Sequence, residues 1–217
     1  MLYTTVDCYV CVSIIILLVT GRLFPNQYTA LSSDRSVWSE IMIIGCVYNM
    51  KFQVVLFDGF DLMDAIAPFD VFNAAAGLSP EEVTVELVTV EGKRFVNSGV
   101  DNVRVEASGI LDPNAEGVIL IPGSSGDSYE DGPNSIVNRL KRASETELKT
   151  LLHQAAQNPN ITLNTVCVGA NLLGMIGLLN GRYASTHFMG MGALPKMGAT
   201  PVHARIVDDG DLVSNSS

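Results

Sequence analysis

The chain has 217 residues, 47% hydrophobic and 17% charged, a balance that fits one globular domain with a full core rather than a disordered polymer. Its formal net charge is −10, which argues against a nucleic-acid partner because phosphate binding needs clustered cations. The densest basic group, Arg139, Lys141 and Arg142, is followed by Glu145 and Glu147, the pattern of a solvated helix face.

The first 49 residues differ in character from the rest. Their apolar run, residues 9–19, is too short to cross a bilayer as a helix, and no Lys or Arg precedes it as in a signal peptide. We read residues 1–49 as an extension outside the core and Met50 as the start of the domain, which carries the expectation of a cytoplasmic protein with no stable membrane partner. The alternative is an atypical signal or short anchor, with a poor cleavage site at Val19-Thr-Gly21, and then a membrane-anchored or secreted protein. Three of the four cysteines, Cys8, Cys11 and Cys46, fall in this stretch, so no disulfide framework is implied. Cys8-Tyr-Val-Cys11 has the spacing of a redox or metal pair but no second pair and no nearby histidine, and is read as chance.

From Met50 the chain alternates strand-like and helix-like segments. A β run over 51–57 leads to a helix over 63–76 that Gly77 ends, then a strand over 83–90, a turn at 91–93 and short extended pieces at 94–96 and 103–105. A β run over 117–121 follows, then a long amphipathic helix over 134–157 and a strand over 161–166. A helix over 169–179, a strand over 182–186 and a last strand over 202–207 complete the series. Such alternation predicts an α/β domain with a mostly parallel sheet, helices on both faces and the site at the carboxyl ends of the strands. No helix is predicted after 202–207, so its open face calls for a partner subunit unless the domain, 50–217, is truncated at its carboxyl end.

Three places converge on one site. In Asn164-Thr-Val-Cys167-Val-Gly-Ala a β run breaks into small residues and then helical spacing, a nucleophile elbow in which the helix amino terminus favours a thiolate. The bland alternative is a buried cysteine packing as a small hydrophobe. In the loop Asp58-Gly-Phe-Asp61-Leu-Met-Asp64, Asp61 reads as a helix N-cap; Asp64 is either a partly buried acid able to pass a proton or a second cap. Pro122-Gly123-Ser124-Ser-Gly126 lets the N–H groups of Gly123 and Ser124, with that of Val168, form an oxyanion hole, unless it is an ordinary glycine turn. His187, at a strand end, is placed to orient or deprotonate a thiol, whereas His153 and His203 read as surface or packing residues. Three histidines without a spaced pair indicate no metal, and without a phosphate-binding glycine fingerprint no nucleotide or other cofactor is expected.

These residues resemble the ThiJ/PfpI superfamily, a flavodoxin-like branch of the glutamine-amidotransferase-like fold. The resemblance rests on Phe57-Asp-Gly-Phe-Asp-Leu-Met-Asp64-Ala-Ile-Ala-Pro68, Ile121-Pro-Gly, Val166-Cys167-Val-Gly-Ala and Gly177-Leu-Leu-Asn-Gly-Arg-Tyr-Ala-Ser-Thr-His187. Asp rather than Glu in the D-x-x-x-P helix start looks most like isonitrile hydratases and amidotransferase-like sensor domains. The resemblance implies a nucleophile at Cys167, its acidic partner at Asp64 and the histidine at His187. The chain departs from the family where isonitrile hydratases carry threonine and PfpI-type peptidases histidine, having Val168, and where the family's second loop glycine stands, having Ser124. The family's segment beyond Val213 is missing. The function expected is a cysteine-dependent hydratase or hydrolase-like enzyme acting on a small carbon electrophile, as a homodimer, with isonitrile hydration to an N-substituted formamide as the named reaction. Glyoxalase-type conversion of a 2-oxoaldehyde and a non-catalytic ligand or redox sensor are the alternatives.

Overall fold

The computed structural model describes residues 50–79, 82–127 and 132–216. The amino-terminal apolar run and Cys8, Cys11 and Cys46 lie outside these residues.

Strand β1, Met50–Val55, lies in the interior of the sheet because its residues are apolar enough to be covered on both sides. Helix α1 spans Leu62–Ala76, β2 Val83–Thr89, β3 Arg94–Asn97, β4 Arg104–Ala107, β5 Gly109–Ile110 and β6 Gly117–Ile121. Helices α2, Ile136–Ser144, and α3, Leu148–Ala155, precede β7, Ile161–Val166, and the elbow helix α4, Gly169–Met175. Then come β8, Tyr183–Ala184, a 3₁₀ helix over Met191–Met197, β9, Thr200–Pro201, β10, Ile206–Asp208, and β11, Leu212–Asn215.

The main sheet runs β10-β11-β7-β6-β1-β2-β5, parallel at each pairing except β10 with β11. All five residues of β6 are buried, as expected of a strand covered on both faces. Helix α1 packs on β1 and β2, with the Phe52 and Phe72 rings stacked 4.5 Å apart, and α2 packs on α3 and α4. Gln53 is a buried polar residue within this core, and its amide exchanges two 2.8 Å hydrogen bonds with the backbone of Asp112, fixing the loop after β5. The α/β sheet expected from the alternation is present, and the extended pieces near 94 and 104 form the antiparallel pair β3–β4.

The structure corrects several expected elements. The helix over 134–157 is two helices, broken where the Ser144 and Thr146 hydroxyls donate to the carbonyls of Lys141 and Ala143. The strand over 182–186 shrinks to β8, which pairs with β9 in a small separate sheet. The strand over 202–207 is replaced by β9 and β10, and the segment after it supplies β11, which inserts between β10 and β7. Arg182 holds this region by ion pairs to Asp209 and Asp211, the latter at 2.6 Å. Among the described residues no helix is long and apolar enough to cross a membrane.

Truncating Phe72, 1% exposed and stacked on Phe52, removes a buried ring contact between α1 and β1. Phe72→Ala is expected to lower stability by about 3–5 kcal/mol, read as a fall in the urea midpoint at unchanged slope.

Candidate active site

Cys167 follows β7 directly and has φ 56°, one of three non-glycine residues with positive φ among the described residues. That backbone costs a cysteine about 1–3 kcal/mol and persists only where its surroundings over-determine it. Here they do. The Cys167 carbonyl accepts the His187 N–H at 3.2 Å and lies 2.8 Å from the Thr186 hydroxyl, which is also 2.7 Å from Asn171 Oδ1. The Asn171 amide donates in turn to the Gly190 carbonyl, so α4 and the segment after β8 are tied to the elbow. Gly169 opens α4 where a Cβ would lie 2.3 Å from the Ile121 carbonyl, so glycine is required for the elbow to approach β6. Cys167 is half-buried and forms no disulfide among the described residues.

Asp61 caps α1, its Oδ1 accepting from the N–H groups of Met63 at 2.9 Å and Asp64 at 3.1 Å. This geometry directs Asp64 inward from the first turn. Asp64 is 5% exposed; its Oδ2 accepts the Gly123 N–H at 3.1 Å, and a hydrogen bond links its carboxyl to the Cys167 side chain. Burial, followed by the charge of Asp61, raises its pKa from 3.8 to about 8 against the opposing pull of those two hydrogen bonds. Asp64 is therefore a neutral acid through most of the physiological range and able to give up a proton.

The 122–126 loop packs closely on this pair. A Cβ on Gly123 would meet Asp64 Oδ2 at 2.7 Å, Cys167 Cβ at 3.0 Å and Val168 Cγ2 at 3.1 Å. The Gly123 N–H is engaged by Asp64, while among the described residues the N–H groups of Ser124 and Val168 donate to no protein acceptor. The Ser124 hydroxyl donates to the Gly59 carbonyl at 2.7 Å, a bond that joins the two loops. His187 is half-buried, and burial lowers its pKa below the ordinary value. Its Nδ1 accepts from the Met189 N–H at 3.4 Å, leaving the proton of a neutral ring on Nε2.

The structure thus brings together Cys167, Asp64, Gly123 and Val168, with Ser124 alongside and His187 joined to the elbow through its backbone. Sequence reasoning missed Asn171 and Thr186. The signal available was their position: Asn171 lies four residues after Cys167 on the elbow helix, and Thr186 immediately precedes His187. Among the described residues no group of three or more His, Cys, Asp or Glu side chains is placed to hold a metal ion. A separate hollow of about 170 Å³ opens over the ends of β1 and β2, but its Arg94 is already paired with Asp58 and Glu91, and neither Cys167 nor Asp64 lines it.

Comparison with known proteins bears on the family and the fold. The DJ-1/PfpI family model matches residues 50–217. An isonitrile hydratase of Pseudomonas putida is 32% identical over 163 residues, covering 75% of this chain; the match spans 63% of the relative's length. Among solved structures, a ThiJ/PfpI family protein from Pseudomonas syringae superposes with TM-score 0.61 at 19% identity, over 88% of this chain and 71% of that one. Schizosaccharomyces pombe DJ-1 does so with TM-score 0.59 at 20% identity, over 77% and 84%. An AraC family transcriptional regulator from Pseudomonas putida gives 0.60 at 18% identity, over 77% and 83%. At these identities the solved structures establish the shared fold.

Two predictions follow from the Asp64 environment. The folded protein keeps the Asp64 proton up to about pH 8, whereas the unfolded chain releases it near 3.8, so the folded state binds more protons in between. The stabilisation linked to that proton is complete below the lower value and is lost as pH rises toward 8, with a slope of up to about 1.4 kcal/mol per pH unit. Asp64→Asn, which cannot ionise, is expected to flatten this slope, as measured by urea midpoints of both proteins between pH 5 and pH 8. Gly123→Ala is expected to slow alkylation of Cys167 by iodoacetamide at least several-fold, because its methyl would crowd both the carboxyl and the thiol; site-resolved mass spectrometry reads the rate.

Proposed function

The chain belongs to the DJ-1/PfpI family, and on that premise we propose that it is a cysteine-dependent hydratase that converts an isonitrile to an N-substituted formamide. The observation that carries the reading is a buried carboxyl, its pKa raised by burial, hydrogen-bonded to the elbow thiol in a chain 32% identical to an isonitrile hydratase.

In the proposed reaction the Cys167 thiolate forms a bond to the isonitrile carbon while Asp64 gives its proton to that carbon, producing a thioimidate. Water then adds to the carbon–nitrogen double bond. One proton of the water ends on nitrogen and the other returns to Asp64, the carbon–sulfur bond breaks, and the formamide leaves with the thiolate restored. The unengaged N–H groups of Ser124 and Val168 are the donors for the oxygen of the tetrahedral adduct. His187, its pKa lowered by burial, serves in this scheme as a neutral Nε2–H donor rather than the base that ionises the thiol.

A second reading, a ligand or redox sensor, is favoured by Val168, whose buried side chain presents methyl groups to the site where a hydroxyl would offer a polar contact. Incubation with cyclohexyl isonitrile and chromatography of the product separates the two. The hydratase forms N-cyclohexylformamide catalytically and loses at least about a thousandfold in rate in Cys167→Ala. A chain that consumes no isonitrile but is stoichiometrically oxidised at Cys167 by peroxide is a sensor.

A further inference from the structure

The Asp61 carboxylate does more than cap a helix. Its Oδ1 takes the two backbone N–H groups of the first turn, and its Oδ2 accepts the Ser125 hydroxyl from the opposite loop. Its own N–H donates to the Gly123 carbonyl at 2.9 Å, while the N–H of the same glycine donates to Asp64 Oδ2. Asp61, Gly123 and Asp64 thereby form a closed ring of backbone and side-chain hydrogen bonds, and the Asp61 charge cannot rotate away from Asp64.

Resting on the reading that Asp64 is the acid of the site, we propose that Asp61 is a positioning residue: the ring of hydrogen bonds through Gly123 locks its carboxylate at the Asp64 helix start and fixes the negative charge that the acid beside Cys167 faces. Burial is the larger influence on Asp64, and the Asp61 charge adds to it. Cys167 faces it from the elbow, the 122–126 loop contributes the uncharged Gly123 N–H, and Asp61 is the fixed charge at its own helix start. The other charged or titratable groups about the two loops are otherwise placed. Asp58 pairs with Arg94, Arg139 lies along Gly59 and Gly126, His187 is joined to the elbow through its backbone, and Asp70 is exposed farther along α1.

The full-length protein tests this with Asp61→Asn, which removes the charge but keeps a side-chain oxygen suited to the cap. The Asp64 carboxyl is followed by carbon-13 NMR against pH, its signal assigned by its loss in Asp64→Asn, alongside the pH dependence of Cys167 alkylation by iodoacetamide. The expected result is a fall of the Asp64 midpoint by about one pH unit. Slower alkylation near pH 7 accompanies it, because an ionised Asp64 disfavours the adjacent thiolate. Asp70→Asn is expected to move neither. Asp61→Ser, a second capping side chain without charge, serves where the Asn variant does not fold. A wild-type midpoint near 8 that stays in place in the uncharged variants overturns the role of Asp61 and leaves Asp64 as the acid. A wild-type midpoint near 4 overturns both.

Discussion

The site depends on one backbone constraint, the left-handed conformation of Cys167 between β7 and α4. A side chain at φ 56° is held there only because its carbonyl is bound by the His187 N–H and the Thr186 hydroxyl and because Gly169 lets the following turn press against Ile121. The consequence is directional. A residue in ordinary β conformation would continue the alternation of β7 and place its side chain within a layer that packing has filled, whereas the elbow turns the thiol toward the end of the sheet. There it meets Asp64 and the 122–126 loop, each following a different central strand.

Electrostatics does the remaining work. A carboxyl in water at neutral pH is an acceptor with no proton to give. Asp64 differs because desolvation penalises its charged form more than one backbone N–H and the Cys167 side chain reward it, and because Asp61 adds a second negative charge nearby. The two aspartates are three residues apart in sequence but differ in environment. Asp61 is half-buried and has three hydrogen-bond donors, while Asp64 is buried with a single backbone donor. One loop thus presents a fixed anion and a neutral acid side by side, the separation of roles on which paired carboxyl chemistry relies.

Much of this was legible in the sequence because strong local signals coincide with the core. The β6 run Gly-Val-Ile-Leu-Ile reads as a strand covered on both faces and is one, the abrupt change after Val166 marks the elbow, and Asp61 before an apolar helix reads as its cap. The carboxyl-terminal third was less legible for a physical reason. No strand was expected over Leu212-Val-Ser-Asn215, yet Ser214 and Asn215 are buried there, Ser214 accepting the Ser185 N–H and Asn215 donating to Asn164 Oδ1 and the Thr165 carbonyl. Partners remote in sequence turned polar residues into interior ones, and periodicity cannot register that. The break between α2 and α3 escaped notice because Glu145-Thr-Glu147 fits a helix by composition, while the hydroxyls that end the helix act through local bonds. Thr186 and Asn171 were hidden similarly, since their importance lies in which carbonyls they reach.

At the two departures from the expected pattern, Ser124 and Val168, the backbone N–H still donates to no protein acceptor among the described residues. The Ser124 hydroxyl is directed away from the thiol to the Gly59 carbonyl, where it joins the two acidic and glycine-rich loops. Val168 packs its methyl groups against Gly123, so its side chain fills space rather than binding anything polar. The direction of each N–H is set by the loop and by the start of α4, not by the side chain that the residue carries. On the proposed reading, an oxyanion site built from peptide N–H groups tolerates side-chain replacement better than one built from hydroxyls, and the polar burden falls on the backbone and on Asp64. On the proposed hydratase reading the cost is specificity, since apolar walls and peptide donors suit an electrophilic carbon and a developing negative charge but offer few groups that distinguish one polar substituent from another.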